Sequence, residues 1–180
     1  KDDHGMTPLH YAAHHGNLKI AEYLIQNGAK EILDTTEKVG KTPLMLAAQN
    51  GRSSLVKMLM SVGASVSSHH SNENALQLAI KNENRECCKE ILLSNNWRES
   101  LKRAKLEKDP SRQRRMTVTT PFRELIKTFP DLACIPLNKS VTELSNKAGR
   151  PEYEINFEFI DDLDEIDTWT SKSSMQAIKD

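Results

Sequence analysis

Apolar residues in the first half of the chain recur every three or four positions rather than every second one. Ile20, Ala21, Leu24 and Ile25 fall on one helical stripe, and Leu55, Val56, Leu59 and Met60 repeat it 35 residues later. Ahead of each stripe stands a second shared segment. Gly5-Met6-Thr7-Pro8-Leu9-His10-Tyr11-Ala12-Ala13 returns at the same offset of 35 as Gly40-Lys41-Thr42-Pro43-Leu44-Met45-Leu46-Ala47-Ala48, and Gly16 and Gly28 return as Gly51 and Gly63. A weaker third copy follows 32 residues on, where Asn72, Asn74, Leu76 and Ala79 replace Gly40, Thr42, Leu44 and Ala47. Repetition at this period predicts a solenoid, in which each unit buries its apolar face only against its neighbours.

The repeated positions have mechanical reasons. Thr7 and Thr42 can cap a helix that opens with Pro8 or Pro43, where a missing N–H costs nothing. Ala12-Ala13 and Ala47-Ala48 are small enough for close helix contact. Gly16 and Gly51 turn the chain, and Gly28 and Gly63 stand just past the second helix, where a left-handed residue closes its end. The predicted unit is a helix-turn-helix with a projecting loop, ending the repeats at residue 97. The third copy has Ala75 for Pro, Gln77 for His and Glu83 for the turn Gly, as a terminal repeat would.

Beyond the repeats a helical pattern is predicted to continue from Asn96 to Lys108. Asp109 to Thr117 breaks it with a stretch almost free of apolar side chains, expected to be a mobile loop. Thr120-Pro121 restarts a helix with Leu125, Ile126 and Phe129 on one face, and a further short helix is expected over Asp131 to Leu137, limited by Pro136. Glu152 to Phe159 alternates strictly between polar and apolar, the pattern of a half-buried strand whose partners must lie elsewhere. The expected division is therefore 1–97 for the repeats, 98–150 for a basic loop and short linker helices, and 151–180 for a strand and an acidic tail.

The charges balance over the whole chain, 25 basic against 25 acidic, but not along it. Residues 98–127 carry ten basic and four acidic groups, net +6, and residues 151–180 carry two basic and nine acidic, net −7. The neutral total argues against a general nucleic-acid binder. Three cysteines, two of them adjacent, form no disulfide framework, which favours a reducing compartment. No uncharged apolar stretch approaches the roughly 18 residues needed to span a bilayer. The opening Lys1-Asp2-Asp3 has neither an initiator Met nor the apolar core of a signal peptide, so the chain reads as a piece of a longer protein.

Thr7-Pro8-Leu9-His10, with the Ala-Ala and Gly positions behind it, resembles the ankyrin repeat closely. The resemblance implies a mainly α chain: an ankyrin-repeat solenoid of helix-turn-helix units, followed by a short helical linker and a β-strand segment. A narrower resemblance rests on Trp97-Arg98-Glu99-Ser100-Leu101-Lys102, Thr120-Pro121-Phe122-Arg123-Glu124-Leu125-Ile126 with Phe129-Pro130-Asp131, and Tyr153-Glu154-Ile155-Asn156-Phe157. In this order after repeats, these segments look like the ankyrin-type transient receptor potential cation channels, the A subfamily. The family forms tetrameric, calcium-permeable, nonselective channels gated by irritant electrophiles or temperature. The resemblance implies a cytosolic regulatory and coupling region at the C-terminal end of a longer array, on the cytoplasmic side of the plasma membrane. It also implies a homotetramer, contacts with downstream membrane-domain segments, and a role in sensory signalling. The alternative expectation is a soluble ankyrin scaffold that binds cytosolic protein partners through its helices and loops.

The remaining residues set the candidate chemistry. Cys87 and Cys88 align with Leu55 and Val56, so packing is the favoured role. The resembled family carries an electrophile-sensing cysteine two residues after the matching Pro, a position held here by Leu132, with Cys134 two residues displaced. Arg123, Lys127 and Lys139 are near Cys134 in sequence and would favour a thiolate, so sensing and packing both stay open for it. His10 reads as a structural histidine of the repeat turn. Thr117, in Arg114-Arg115-Met116-Thr117, fits a basophilic kinase site, against the favoured reading of a plain solvated loop. Neither Cys87-Cys88 nor His14-His15 or His69-His70 has metal-ligand spacing, and the acidic run from Asp161 to Asp167 lacks the Gly and terminal Glu of an EF-hand. No cofactor is expected. No nucleophile elbow or phosphate-cradling Gly loop nominates a catalytic residue, so the expectation is not an enzyme.

Overall fold

The computed structural model describes residues 1–68, 70–102, 105–108, 116–145 and 151–155. Three helix pairs come first: α1 (Pro8–His15) with α2 (Leu18–Gln26), α3 (Pro43–Gln49) with α4 (Ser53–Val62), and α5 (Ala75–Lys81) with α6 (Arg85–Leu93). A single 3-10 turn, Ala29–Ile32, comes after α2. First helices stack in one row, α1 on α3 on α5, and second helices in another, α2 on α4 on α6. Leu9, Leu44 and Leu76 fill equivalent places in the first row, each with no exposed surface. Burying each one contributes about 2–3 kcal/mol relative to exposure.

The first helices start where the capping residues predict. The Thr7 hydroxyl accepts from the His10 N–H, that of Thr42 from the Met45 N–H, and the Asn74 side-chain oxygen from the Gln77 N–H. Pro8 and Pro43 occupy the first helical turn, where no N–H partner is needed. The stripe on the second helices is incomplete in the first repeat. Ala21 and Ile25 are buried, but Ile20 is 50% exposed. Among the described residues no helix packs on that side of α2, whereas the equivalent Leu55 and Cys87 are covered by the preceding repeat.

Past the repeats, α7 (Trp97–Leu101) ends earlier than the pattern predicts. Leu101 is anchored in the core, but Lys102, Arg103, Lys105, Glu107 and Lys108 leave only Ala104 and Leu106 as apolar side chains, too little for a helical face. The backbone is extended instead at β1 (Lys105–Lys108), which pairs antiparallel with β2 (Met116–Thr119). Helix α8 (Pro121–Thr128) is capped by Thr120, whose hydroxyl accepts from the Arg123 N–H. It packs on α5, in the place where a fourth first helix would stand, and α9 (Cys134–Ser140) packs on α6 in the second row. α9 begins three residues later than expected, which puts Pro136 in its first turn, where its ring breaks no hydrogen bond. Extended backbone at β3 (Val141–Ser145) and β4 (Pro151–Ile155) pairs antiparallel. Residues 156–159 of the expected strand, the loop at 109–115 and the acidic tail lie outside the described residues, so the full strand segment stands as an expectation.

Candidate functional site

Adjacent repeats interlock at the turn between their two helices. Gly16 and Gly51 take left-handed φ values of 81° and 71°, and a Cβ on either would lie 2.7 Å from a side chain of the next repeat. Those side chains are Arg52 and Asn84, each the last residue before a second helix. Arg52 donates from Nε to the carbonyl of His14 at 3.4 Å, and Asn84 donates from Nδ2 to the carbonyls of Ala48 and Gln49 at 2.9 and 2.8 Å. The turn Gly thus clears space for the next repeat to satisfy the open carbonyl end of a first helix.

His10 couples the first two repeats. Its Nδ1 accepts from the Thr7 N–H at 3.1 Å and lies 2.8 Å from the Thr7 hydroxyl, which assigns the proton to Nε2, 3.2 Å from the carbonyl of Lys41. Burial holds its pKa below the usual histidine value, partly offset by the Lys41 carbonyl.

The thiols fall into two environments. Cys87 and Cys88 are 1% and 0% exposed and belong to the buried apolar core. Burial first, and the nearby Glu86 and Glu90 second, push the Cys87 thiol up to about 11. Burial pushes Cys88 up to about 12. Both are packing residues with little thiolate. Cys134 opens α9 and is exposed. The cation nearest to it in sequence among those expected to favour its thiolate, Lys139, is engaged elsewhere. Its Nζ donates to the carbonyls of Leu92, Leu93 and Ser94 at 2.8, 2.8 and 3.3 Å, closing the C-terminal end of α6. Desolvation there lowers the Lys139 pKa. The backbone of Thr117 lies in β2, and its side chain is outside the described residues.

The junction between repeats and linker depends on residues that periodicity does not single out. Arg85, on the first turn of α6, forms a two-pronged ion pair with Asp131 in the loop before α9: Nη1 donates to Oδ1 at 2.8 Å and Nη2 to Oδ2. The guanidinium holds the Asp131 carboxyl below the ordinary carboxylate range. Trp97 is buried beneath Arg98, whose guanidinium carbon is 4.9 Å from the ring centre, and beside Lys139 at 6.0 Å. The one sequence signal for any of this is Asn74. An asparagine in a threonine position brings an extra N–H₂ donor, and that donor reaches the carbonyl of Ser100.

Between α5 and α8 the junction leaves a hollow of about 340 Å³, lined by Gln77, Ile80, Lys81, Glu83, Glu124 and Lys127 among others. Among the described residues no group of three or more His, Cys, Asp or Glu side chains could hold a metal ion, and no helix is long and apolar enough to cross a membrane.

The family description of ankyrin repeats in three copies matches residues 30–103, and that of a single ankyrin repeat matches residues 4–36. Residues 4–103 are ankyrin repeats. Such repeats are generally protein-interaction modules without enzymatic activity, and no enzyme family matches. Across 174 residues, or 90% of its length, the chain is 26% identical to the transient receptor potential cation channel subfamily A member 1 homolog of Caenorhabditis elegans. It is 34% identical over 90 residues, 49% of the chain, to the human subfamily A member 1 channel. It spans only 14% of the nematode protein's length and 8% of the human one's. Other ankyrin proteins match as well. The 26S proteasome non-ATPase regulatory subunit 10 of Dictyostelium discoideum is 41% identical over 64 residues, covering 36% of this chain and 27% of that protein.

Proposed function

We propose that this chain is the cytosolic regulatory and coupling region of an ankyrin-type transient receptor potential channel, calcium-permeable and nonselective, serving chemical or thermal sensing. The observation that carries the reading is the reach of the nematode match. It runs over 90% of the chain and so extends beyond the repeats at residues 4–103 into the linker, whereas the proteasome-subunit match spans 64 residues. In this reading the chain lies on the cytoplasmic side of the plasma membrane within a homotetramer. Its strand and acidic tail lead to a membrane domain encoded further on. Cys134 is the candidate electrophile-sensing thiol, exposed as such a role requires, and Thr117 is the candidate phosphorylation site.

The repeats in this reading close the C-terminal end of a longer array. Tyr11 and Ile20 line an open hollow on the outer side of the first repeat, 45% and 50% exposed. Leu46 and Leu55, at the same places in the second repeat, are buried by the repeat before them. A solenoid end facing water carries polar residues there instead.

The second reading is a soluble ankyrin scaffold that binds protein partners, favoured by the 41% identity to the proteasome subunit. Sequencing the transcript on both sides of this segment separates the two. The channel reading expects six apolar spans with a pore loop downstream, and calcium entry in cells expressing the full-length chain. A reading frame that closes without an apolar span would leave the scaffold.

A further inference from the structure

The β1–β2 hairpin sets Thr117 opposite an acid. Its register pairs Lys105 with Thr119, Leu106 with Val118, Glu107 with Thr117 and Lys108 with Met116. Alternation along each strand places Lys105, Glu107, Thr117 and Thr119 on one face and the other four residues on the opposite one. Directly opposite positions on a ladder lie about 5 Å apart and diagonal ones about 7–8 Å. The charged position nearest to Thr117 across the ladder is therefore Glu107, with Lys105 on the diagonal. Along the sequence Asp109 and Arg115 bring one charge of each sign. Both ends of the hairpin are anchored. Leu101 before it and Phe122 after it are buried, α7 packs on α8, and Thr120, the residue after β2, caps α8. The two strands can part without moving either helix.

We propose that phosphorylation of Thr117 by a basophilic kinase parts β1 from β2, and that Glu107 gives this switch its direction. The inference rests on the reading of Thr117 as a phosphorylation site, which Arg114 and Arg115 support in sequence. The kinase transfers the γ-phosphoryl group of a nucleoside triphosphate to the Thr117 hydroxyl. A P–O bond forms at Oγ1 as the bond to the diphosphate breaks, the hydroxyl proton passes to a base of the kinase, and the nucleoside diphosphate leaves. Phosphothreonine brings a charge of about −1.5 to −2 at pH 7 to the position paired with Glu107. Like charges directly opposite destabilise a ladder, and a two-stranded ladder of four pairs has little stability to lose. In the unmodified chain the hydroxyl is neutral and the same pairing stands. The change is confined to the connection between α7 and α8.

Pulsed amide exchange on the full chain tests this, before and after treatment with ATP and the catalytic subunit of the cyclic-AMP-dependent kinase, the modified residue being identified by mass spectrometry. Exchange at 105–108 and 116–119 should quicken about twofold or more on phosphorylation, with Leu55 to Leu59 unchanged. In Glu107→Lys the same phosphate meets an ammonium, and exchange there should slow instead. Unchanged or slower exchange in the phosphorylated parent overturns the proposal. Equal quickening in Glu107→Lys overturns it too, because the effect would then belong to the phosphate alone. Absence of phosphate from Thr117 overturns the reading of the site, which is a separate failure. Thr117→Glu, made in the parent and in Glu107→Lys, then reads the register contact by itself: a reversal of sign between the two supports it, and the same sign in both overturns it.

Discussion

The Asn74 side-chain amide donates to the carbonyl of Ser100 across 2.7 Å, and neither residue has any exposed surface. The contact links the start of α5 to α7, 26 residues later. It also redistributes the work of a repeat turn. In the first repeat, Thr7 caps the helix while His10 reaches the next unit at Lys41. In the third, Gln77 stands in the histidine position and turns back to accept from the Asn74 N–H, while Asn74 both caps the helix and makes the link between units.

Replacing Asn74 by Thr, the residue of the other two repeats, should keep the cap and lose the link. The Ser100 carbonyl would then be buried without its donor, at about 1–3 kcal/mol. Urea unfolding should report a lower midpoint for Asn74→Thr and a still lower one for Asn74→Ala, which removes the cap as well. A threonine variant as stable as the parent would show that water or another donor replaces the amide.

The pH dependence of stability should carry the mark of His10. Its pKa in the fold lies below the ordinary 6.5, with burial as the main cause, so near pH 6 the unfolded chain binds more protons than the folded one. The stability it contributes is present above about pH 6.5 and is lost as the pH falls from there toward the lower folded value. His10→Gln removes the titration while keeping an acceptor for the Thr7 N–H, as Gln77 does for Asn74. Chemical unfolding at pH 7.5 and 5.5 should therefore show a smaller difference for the variant than for the parent; an unchanged difference would assign it to other groups.

Glu83→Gly tests the strain at the third turn, where Glu83 holds a left-handed φ of 56° in the place of Gly16 and Gly51. A side chain in left-handed backbone costs roughly 1–2 kcal/mol, and the greater freedom of glycine in the unfolded chain offsets part of the relief. The net expectation is a gain of up to about 1 kcal/mol, seen as a higher thermal midpoint. A fall instead would mean that the Glu83 carboxylate makes a contact worth more than the strain.

Brief labelling of the native protein with a water-soluble electrophile should modify Cys134 first, by tenfold or more. Burial pushes the Cys87 thiol up to about 11, which keeps it protonated at pH 7, and both core thiols must wait for local opening. Mass spectrometry of the peptides gives the order. Labelling of Cys87 or Cys88 at the Cys134 rate would mean that the third repeat opens freely.

The repeats were legible because each unit announces itself locally. A Thr cap before Pro, a pair of alanines and a turn Gly act within a few residues of one another, and the register they set places Cys87 and Cys88 on the core stripe before any contact is known. The sequence also determined where α8 begins, since Thr120-Pro121 carries the same cap. The features it left open depend on residues far apart in the chain. Arg85 meets Asp131 46 residues away and Lys139 meets the end of α6 45 to 47 residues away, and no period relates those positions. Ile20 belongs to the apolar stripe by spacing, yet its exposure depends on whether a helix lies against it, which is a property of the stack and not of α2. Glu83 reads as an ordinary surface charge until the fold gives it the backbone angle of a glycine. Local chemistry sets each helix and its cap; only the assembled stack decides which faces are covered and how the third repeat is joined to α8 and α9.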